Sequence, residues 1–343
     1  MTKVFKEVKS IGFTARYEGE GCVNFDSKEQ SFYLSKNGLF VSQNDNICYA
    51  KKRFMKDENG NTLFKYKVSS ECLRHEIFKE TIPYQNPNLV AVPYVLYNTI
   101  ALPEMVMRGY CFTQNGKNSL KRKSSLTITD AVEVGNARDS ISLDFHSSAC
   151  EKEIKGDGDK SGTSIYNVEN VGKNIYEATG FIDLQELQFI SDDATYDRMS
   201  AGGVEDGSKE EKQYLDSLSR NMVNMPNPSF DYYYQNGCYT KDEWGERGVL
   251  LNTESVDLMV KKTLMGILNT LILRRGAYFK NISLKLEVIT DNGQTEEVEV
   301  TKDNLNDLYF EYHQRYIHSN EDKIVANAAK FEAYKKETKK SKK

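Results

Sequence analysis

The sequence predicts an α+β fold with helices on one face of an antiparallel sheet, for which a split βαβ arrangement is the commonest example. Three observations carry this expectation. Residues 11–17 and 282–288 alternate apolar with small or polar side chains, the period of a half-buried strand. Val256, Val260, Leu264, Ile267, Leu268 and Leu271 recur at helical spacing. Asp291-Asn292-Gly293 is a turn sequence because Asn and Gly tolerate positive φ, so Val298 and Val300 fall on a returning strand.

The first strand, 11–17, is broken by Glu18-Gly19-Glu20-Gly21. Residues 26–60 are irregular, polar and rich in Asn and Lys, resembling a surface insertion. Residues 63–68 restore a strand, and Ser69-Ser70 offers side-chain caps for a short helix carrying Cys72, Leu73, Glu76, Ile77 and Glu80. Pro93 suits the first turn of a buried helix over 94–102. A strand at 109–112 leads to an Asn115-Gly116 turn, and polar residues 144–178 form a projecting loop or hairpin. Ile182, Leu184, Leu187, Phe189 and Ile190 return to the core, followed by a long acidic connection over 191–245. Asn252-Thr253 caps the long helix, with Glu254 and Asp257 at its positive end. A last helix is expected over 303–318, then a tail at 319–343 that is helical or disordered. The chain thus reads as one domain, 1–318, with insertions at 26–60, 130–178 and 191–245.

With 343 residues, 39% hydrophobic and 11% aromatic, the chain has material for a real core. No apolar run approaches the roughly 20 residues that span a bilayer, and Met1-Thr-Lys-Val-Phe-Lys-Glu has no signal-peptide stretch. Six scattered cysteines without CxxC spacing read as reduced thiols in a cytoplasmic protein and give no zinc signature. The net charge of −4 speaks against generic nucleic-acid binding, but the charge is unevenly spread. Residues 331–343 hold six Lys and two Glu, leaving −8 on the other 330 residues. Within that acidic body lie two basic clusters, Lys51-Lys52-Arg53 with Lys56, and Lys117 with Lys121-Arg122-Lys123. Such separation gives one surface that attracts phosphate and another that repels it; solvated loops are the plainer reading.

Enzymatic signatures are missing. There is no GxSxG and no HExxH, and Asn115-Gly116-Lys117-Asn118 lacks the upstream Gly and the following Ser/Thr of a phosphate loop. Glu18, Glu20 and Asp26 follow the first strand and could hold a divalent metal, but a structural loop is the default reading; neither a metal nor a cofactor is expected. Arg74-His75, on the short helix after Ser69-Ser70, could clamp phosphate, since helix-start N–H groups and a guanidinium both suit an anion. Arg274-Arg275 follows the long helix and precedes Gly276, where cations also favour a helix C-terminus. Arg138-Asp139-Ser140 is either a local ion pair or a backbone-reading loop.

Several segments in order resemble the backbone subunit of CRISPR interference complexes, the Cas-seven family of the RAMP superfamily, nearest its type I-F variant branch. They are Leu73-Arg74-His75-Glu76-Ile77-Phe78-Lys79-Glu80, Arg108-Gly109-Tyr110, and Lys121-Arg122-Lys123-Ser124-Ser125-Leu126 running into Asp130. Asn136-Ala137-Arg138-Asp139-Ser140, Leu184-Gln185-Glu186-Leu187-Gln188-Phe189-Ile190-Ser191, Tyr196-Asp197-Arg198 and Gly248-Val249-Leu250-Leu251-Asn252 follow. The resemblance implies a modified RRM-like, ferredoxin-like palm, a thumb hairpin over 130–178, and a non-catalytic subunit. Copies would assemble head to tail as a helical oligomer on one crRNA, beside other Cascade subunits, and present the guide for target DNA pairing. It implies RNA contacts from Ser70, Arg74, His75, Lys121, Arg122, Lys123, Ser124, Arg138, Arg274 and Arg275, with Phe145 as the thumb wedge. The usual RRM aromatic motif is missing, so RNA is expected on loops rather than on the sheet face. Two readings compete: a metal-dependent RAMP endoribonuclease using Asp26, and a structural filament protein without nucleic acid.

Overall fold

A computed structural model describes residues 2–25, 31–35, 38–42, 47–79, 103–112, 120–135, 141–149, 163–191, 230–235, 246–274 and 276–313. The chain opens with β1 (Lys3–Glu20), then β2 (Ser31–Ser35), β3 (Gly38–Ser42), β4 (Ile47–Cys48), β5 (Lys52–Lys56) and β6 (Thr62–Val68). Helices α1 (Ser70–Ile77) and α2 (Pro103–Arg108) follow, then β7 (Tyr110–Phe112), β8 (Leu120–Arg122), β9 (Leu126–Ile128) and β10 (Ala131–Glu133). Next come the β11 (Ile141–Ala149) and β12 (Thr163–Val171) hairpin, β13 (Asn174–Asp183) and the single turn α3 (Leu184–Leu187). Strands β14 (Phe189–Ser191), β15 (Phe230–Gln235) and β16 (Glu246–Leu251) lead to α4 (Thr253–Leu268). The chain continues through β17 (Leu271–Arg274), β18 (Ala277–Thr290), β19 (Thr295–Val300) and β20 (Leu308–Tyr312).

Among the described residues, ten strands make one curled, mostly antiparallel half-barrel. Its main path runs β17-β18-β1-β13-β10-β6-β5, with β19 on β18, β9 on β13 and β20 on β1. The 18-residue β1 is the spine. It pairs antiparallel with β18 from Val8 to Glu20 and with β13 from Ser10 to Gly19. Beyond the end of β13, the first part of β1 takes β20 as a parallel neighbour.

The alternation read from residues 11–17 sets the layering. Ile11, Phe13, Ala15 and Tyr17 are buried, while Gly12, Thr14 and Arg16 face the other way. From β18, Leu284, Leu286 and Val288 join the same core. Helix α4 covers it with Val256, Val260, Leu264 and Ile267, all completely buried. Its Asn252 cap accepts the Ser255 N–H at 3.0 Å, as the sequence predicts. The opposite sheet face is open, with Phe181 46% exposed between Gly12 and Thr127. At the head of β1 the two-residue period fails, because Phe5, Val8 and Ile11 are the buried positions. The register slips on both flanks there, and Glu7 adopts φ +54°.

Four expectations need correcting. The last helix is instead a 3-10 turn, Leu305–Asp307, followed by β20. Leu308, Phe310 and Tyr312 bury alternate positions, and the edge left by β13 offers β1 backbone partners that outweigh helix propensity. Arg274 does not follow α4 directly: the helix stops at Leu268, and Arg274 pairs with Ala277 at the β17–β18 turn. Ser69 is the α1 N-cap by position but makes no side-chain cap bond. Lys52 is buried rather than solvated. The helix expected over 94–102, the Asn115-Gly116 turn and the 319–343 tail lie outside the described residues.

Candidate nucleic-acid interface

The site is built at the end of β1, where the chain must turn sharply. Gly21 has φ +75°, and a Cβ there would come within 2.6 Å of the Ala277 Cβ, so this reversal demands glycine. The turn is then gripped from three sides. The Ser69 N–H donates to Asn24 Oδ1 at 3.0 Å, the Lys51 N–H to the Asn24 carbonyl at 3.1 Å, and the Arg274 guanidinium to the Val23 carbonyl at 3.4 Å. The start of α1, Lys51 and Arg274 are thereby gathered on one rim. Cys72, in the first turn of α1, registers this: burial pushes its thiol pKa up, while Arg274 and Lys51 pull it down. Arg274 is exposed and Lys51 half-buried, and Lys51 and Lys67 line the cleft behind the turn with Asn24 and Tyr278.

The rim is not uniformly cationic. The Ser70 N–H donates to Asp130 Oδ1 at 2.9 Å, and Lys67 pairs with Asp130 Oδ2 at 2.8 Å. Burial alone would raise the Asp130 pKa, but Lys67 and Ser70 outweigh it and hold the carboxyl below its usual range. An aspartate therefore already occupies the anion position that the sequence assigns to the start of α1. Nearby, Glu18 accepts from the Tyr278 hydroxyl at 3.0 Å and pairs with Lys173 at 2.9 Å and Lys280 at 3.4 Å. Lys173, then Tyr278, lower its pKa. Asp26 lies outside the described residues.

A second group surrounds the body of α1. Half-buried Arg74 donates to the Leu126 carbonyl at 2.9 Å, with His75 beside it in sequence. Burial first and Arg108 second lower the Arg74 pKa, so two guanidinium groups share this corner. Ser124 Oγ lies 2.5 Å from the Leu126 carbonyl oxygen, and Lys123 is exposed beside it. Gly109, at φ +74°, lets the end of α2 lie against the backbone of Arg122 and Ser124.

Arg122 requires a correction. It is 6% exposed, and its guanidinium donates to the carbonyls of Val106, Phe189 and Glu186 at 3.1, 3.2 and 3.2 Å. Three internal acceptors make it a clamp joining α2, α3 and β14 rather than a hand for phosphate. Lys121 lies on β8 opposite Cys111, and Phe145 on β11 opposite Asn167. Arg138 and Arg275 lie outside the described residues. The structure thus brings Ser69 and Arg274 onto one turn, leaves Ser70 on Asp130, and brings Arg74 and Ser124 together on the Leu126 carbonyl beside Lys123. Lys51 is not among the residues that the sequence points to as a site, although the run Lys51-Lys52-Arg53 is its signal: on a strand approach neighbouring side chains diverge, so Lys52 turns inward and Lys51 does not.

Fold and site together define a sheet scaffold with a cation-bearing rim at one end of its central strand. Residues 7–317 match the family described as type I-Fv CRISPR-associated protein Cas7fv-like, and the chain belongs to that family. A solved structure titled "CRISPR RNA-guided surveillance complex" is similar at 9% identity, covering 82% of this chain and 70% of that chain, with a TM-score of 0.37. Another, titled "CRISPR RNA-guided surveillance complex, pre-nicking", is similar at 7% identity over 82% of this chain and 79% of that chain, also with a TM-score of 0.37. No curated protein matches the chain. Among the described residues no helix is long and apolar enough to cross a membrane.

Proposed function

We propose that this Cas7-like protein is a non-catalytic backbone subunit that grips crRNA in a CRISPR surveillance complex. Copies line up head to tail along the guide in a helical oligomer, beside other Cascade subunits, and leave bases free to pair with target DNA. The observation that carries the reading is the convergence of Arg274, Lys51 and the start of α1 on the Gly21–Asn24 turn, in a chain of the Cas7fv-like family. A sugar–phosphate backbone needs only a few cations at a time when each protomer covers a short stretch.

The topology supports an RRM-like palm. Taking β1, α1, β10, β13, α4 and β18 in chain order, the sheet order β18-β1-β13-β10 is that of a split βαβ fold, with both helices as crossovers. The β11–β12 hairpin is inserted between β10 and β13, where a thumb would project with Phe145 as its wedge. Lys121, Lys123, Arg74, His75, Ser124, Arg138 and Arg275 stay in the proposed RNA surface; Arg122 does not.

The test is the double substitution Lys51→Gln with Arg274→Gln, read by binding of labelled single-stranded RNA across a salt series. Affinity should fall for every RNA sequence alike. The log–log salt slope should flatten by about 1.4, at about 0.7 per phosphate contact. Unchanged binding, or a loss confined to particular sequences, would overturn the reading.

A further inference from the structure

At the opposite end of β1 from the cationic rim, Glu7, Asp291 and His313 place ligand atoms within 4.8 Å of one another. We propose that these three residues form a binding site for a divalent transition-metal cation. His313 Nδ1 lies 2.7 Å from Glu7 Oε2 and 4.0 Å from Asp291 Oδ2. These spacings approach those of donors around one small cation with bonds of about 2.0–2.2 Å, so modest side-chain opening admits the ion.

Three separated chain segments deliver the ligands, and backbone bonds fix each of them. Glu7 sits in the β1 irregularity, and its carbonyl accepts the Asp291 N–H from the β18–β19 turn at 3.0 Å. The His313 N–H donates to the Val8 carbonyl at 2.8 Å, while the His313 carbonyl accepts Gln188 Nε2 at 3.2 Å. The Lys9 ammonium is bound to the Asp291 carbonyl at 3.1 Å, which adds one positive charge near two carboxylates. An imidazole nitrogen with two carboxylates favours Zn²⁺, Co²⁺ or Ni²⁺ over Mg²⁺ or Ca²⁺, which prefer all-oxygen shells. Solvent can complete the coordination, since Glu7 and Asp291 are exposed. A bound ion would fasten the end of β20 to the head of β1, and with it the start of the segment that follows residue 313.

The test is Co²⁺ titration of the metal-stripped full-length protein, followed by absorbance and by hydrogen exchange. The proposal expects saturable d–d bands without thiolate-to-cobalt charge transfer, which separates this site from the cysteines. His313→Gln should weaken that binding at least tenfold, and Asp291→Asn should weaken it as well. Bound Co²⁺ should slow amide exchange at His313 in the parent protein and not in His313→Gln. No saturable binding, thiolate bands alone, or equal binding in the parent and both variants would overturn the proposal and leave Glu7 and His313 as a surface hydrogen-bonded pair. None of these outcomes depends on RNA binding.

Discussion

Lys52 and Glu169 show how a single side chain changes its meaning on folding. Their charged groups lie 2.5 Å apart with side chains 2% and 9% exposed, and the Tyr66 hydroxyl and the Ala50 N–H also donate to Glu169. Lys52 further lies over the rings of Tyr49, Phe64 and Tyr66. Glu169 belongs to β12, so this network ties the base of the β11–β12 hairpin to β5 and β6. Removing one partner leaves an uncompensated buried charge, and Glu169→Ala is expected to cost about 3–5 kcal/mol by urea unfolding. A loss below about 1 kcal/mol would show that water reaches Lys52. The sequence displays Lys52 only as one of three adjacent cations. Its burial depends on a carboxylate 117 residues away, which local patterning does not reveal. Arg122 was hidden in the same way, because its acceptors are backbone carbonyls contributed by α2, α3 and β14.

At the scale of elements, legibility follows how local the governing interaction is. The β1, β6 and β18 strands and α4 carry their own periods and caps and form at those positions, although β1 starts eight residues before the pattern and Leu271, the last residue of the helical pattern, falls on β17. β20 carries a two-residue period too, but it is only five residues long and its pairing partner lies some 300 residues earlier, so the pattern there reads as a helix. The seating of α1 on α4 was equally silent. Gly266 lies where α1 ends, and a Cβ added there would sit 2.5 Å from the Ile77 carbonyl oxygen. Because that obstacle is backbone, the helices would have to separate. Gly266→Ala is therefore expected to destabilise by about 1–3 kcal/mol despite the better helix propensity of alanine, as judged from the urea midpoint. A stabilised variant would mean that the two helices move apart freely. Since α1 also carries Arg74 and borders Arg274, the same substitution should weaken the proposed RNA binding.

For the whole molecule, acid stability tests how the rim is held. Asp130 has a folded pKa below its unfolded value, so its contribution is present above the unfolded pKa and is lost as pH falls through the folded one. Between about pH 5 and pH 3 the protein should lose stability, and Asp130→Asn should show a shallower loss over that window in urea midpoints. Parallel pH profiles would show that the Lys67–Asp130–Ser70 contact contributes nothing. The sheet itself has a temporal consequence. β1 leaves the ribosome before all three of its neighbours β13, β18 and β20, the last of which ends at residue 312. Such distant pairings slow folding, and the nascent chain must carry the β18 flank of that apolar strand unpaired until residue 290 has been made. Products terminated before β18 would keep one long flank of that strand bare, inviting association with other unfinished chains.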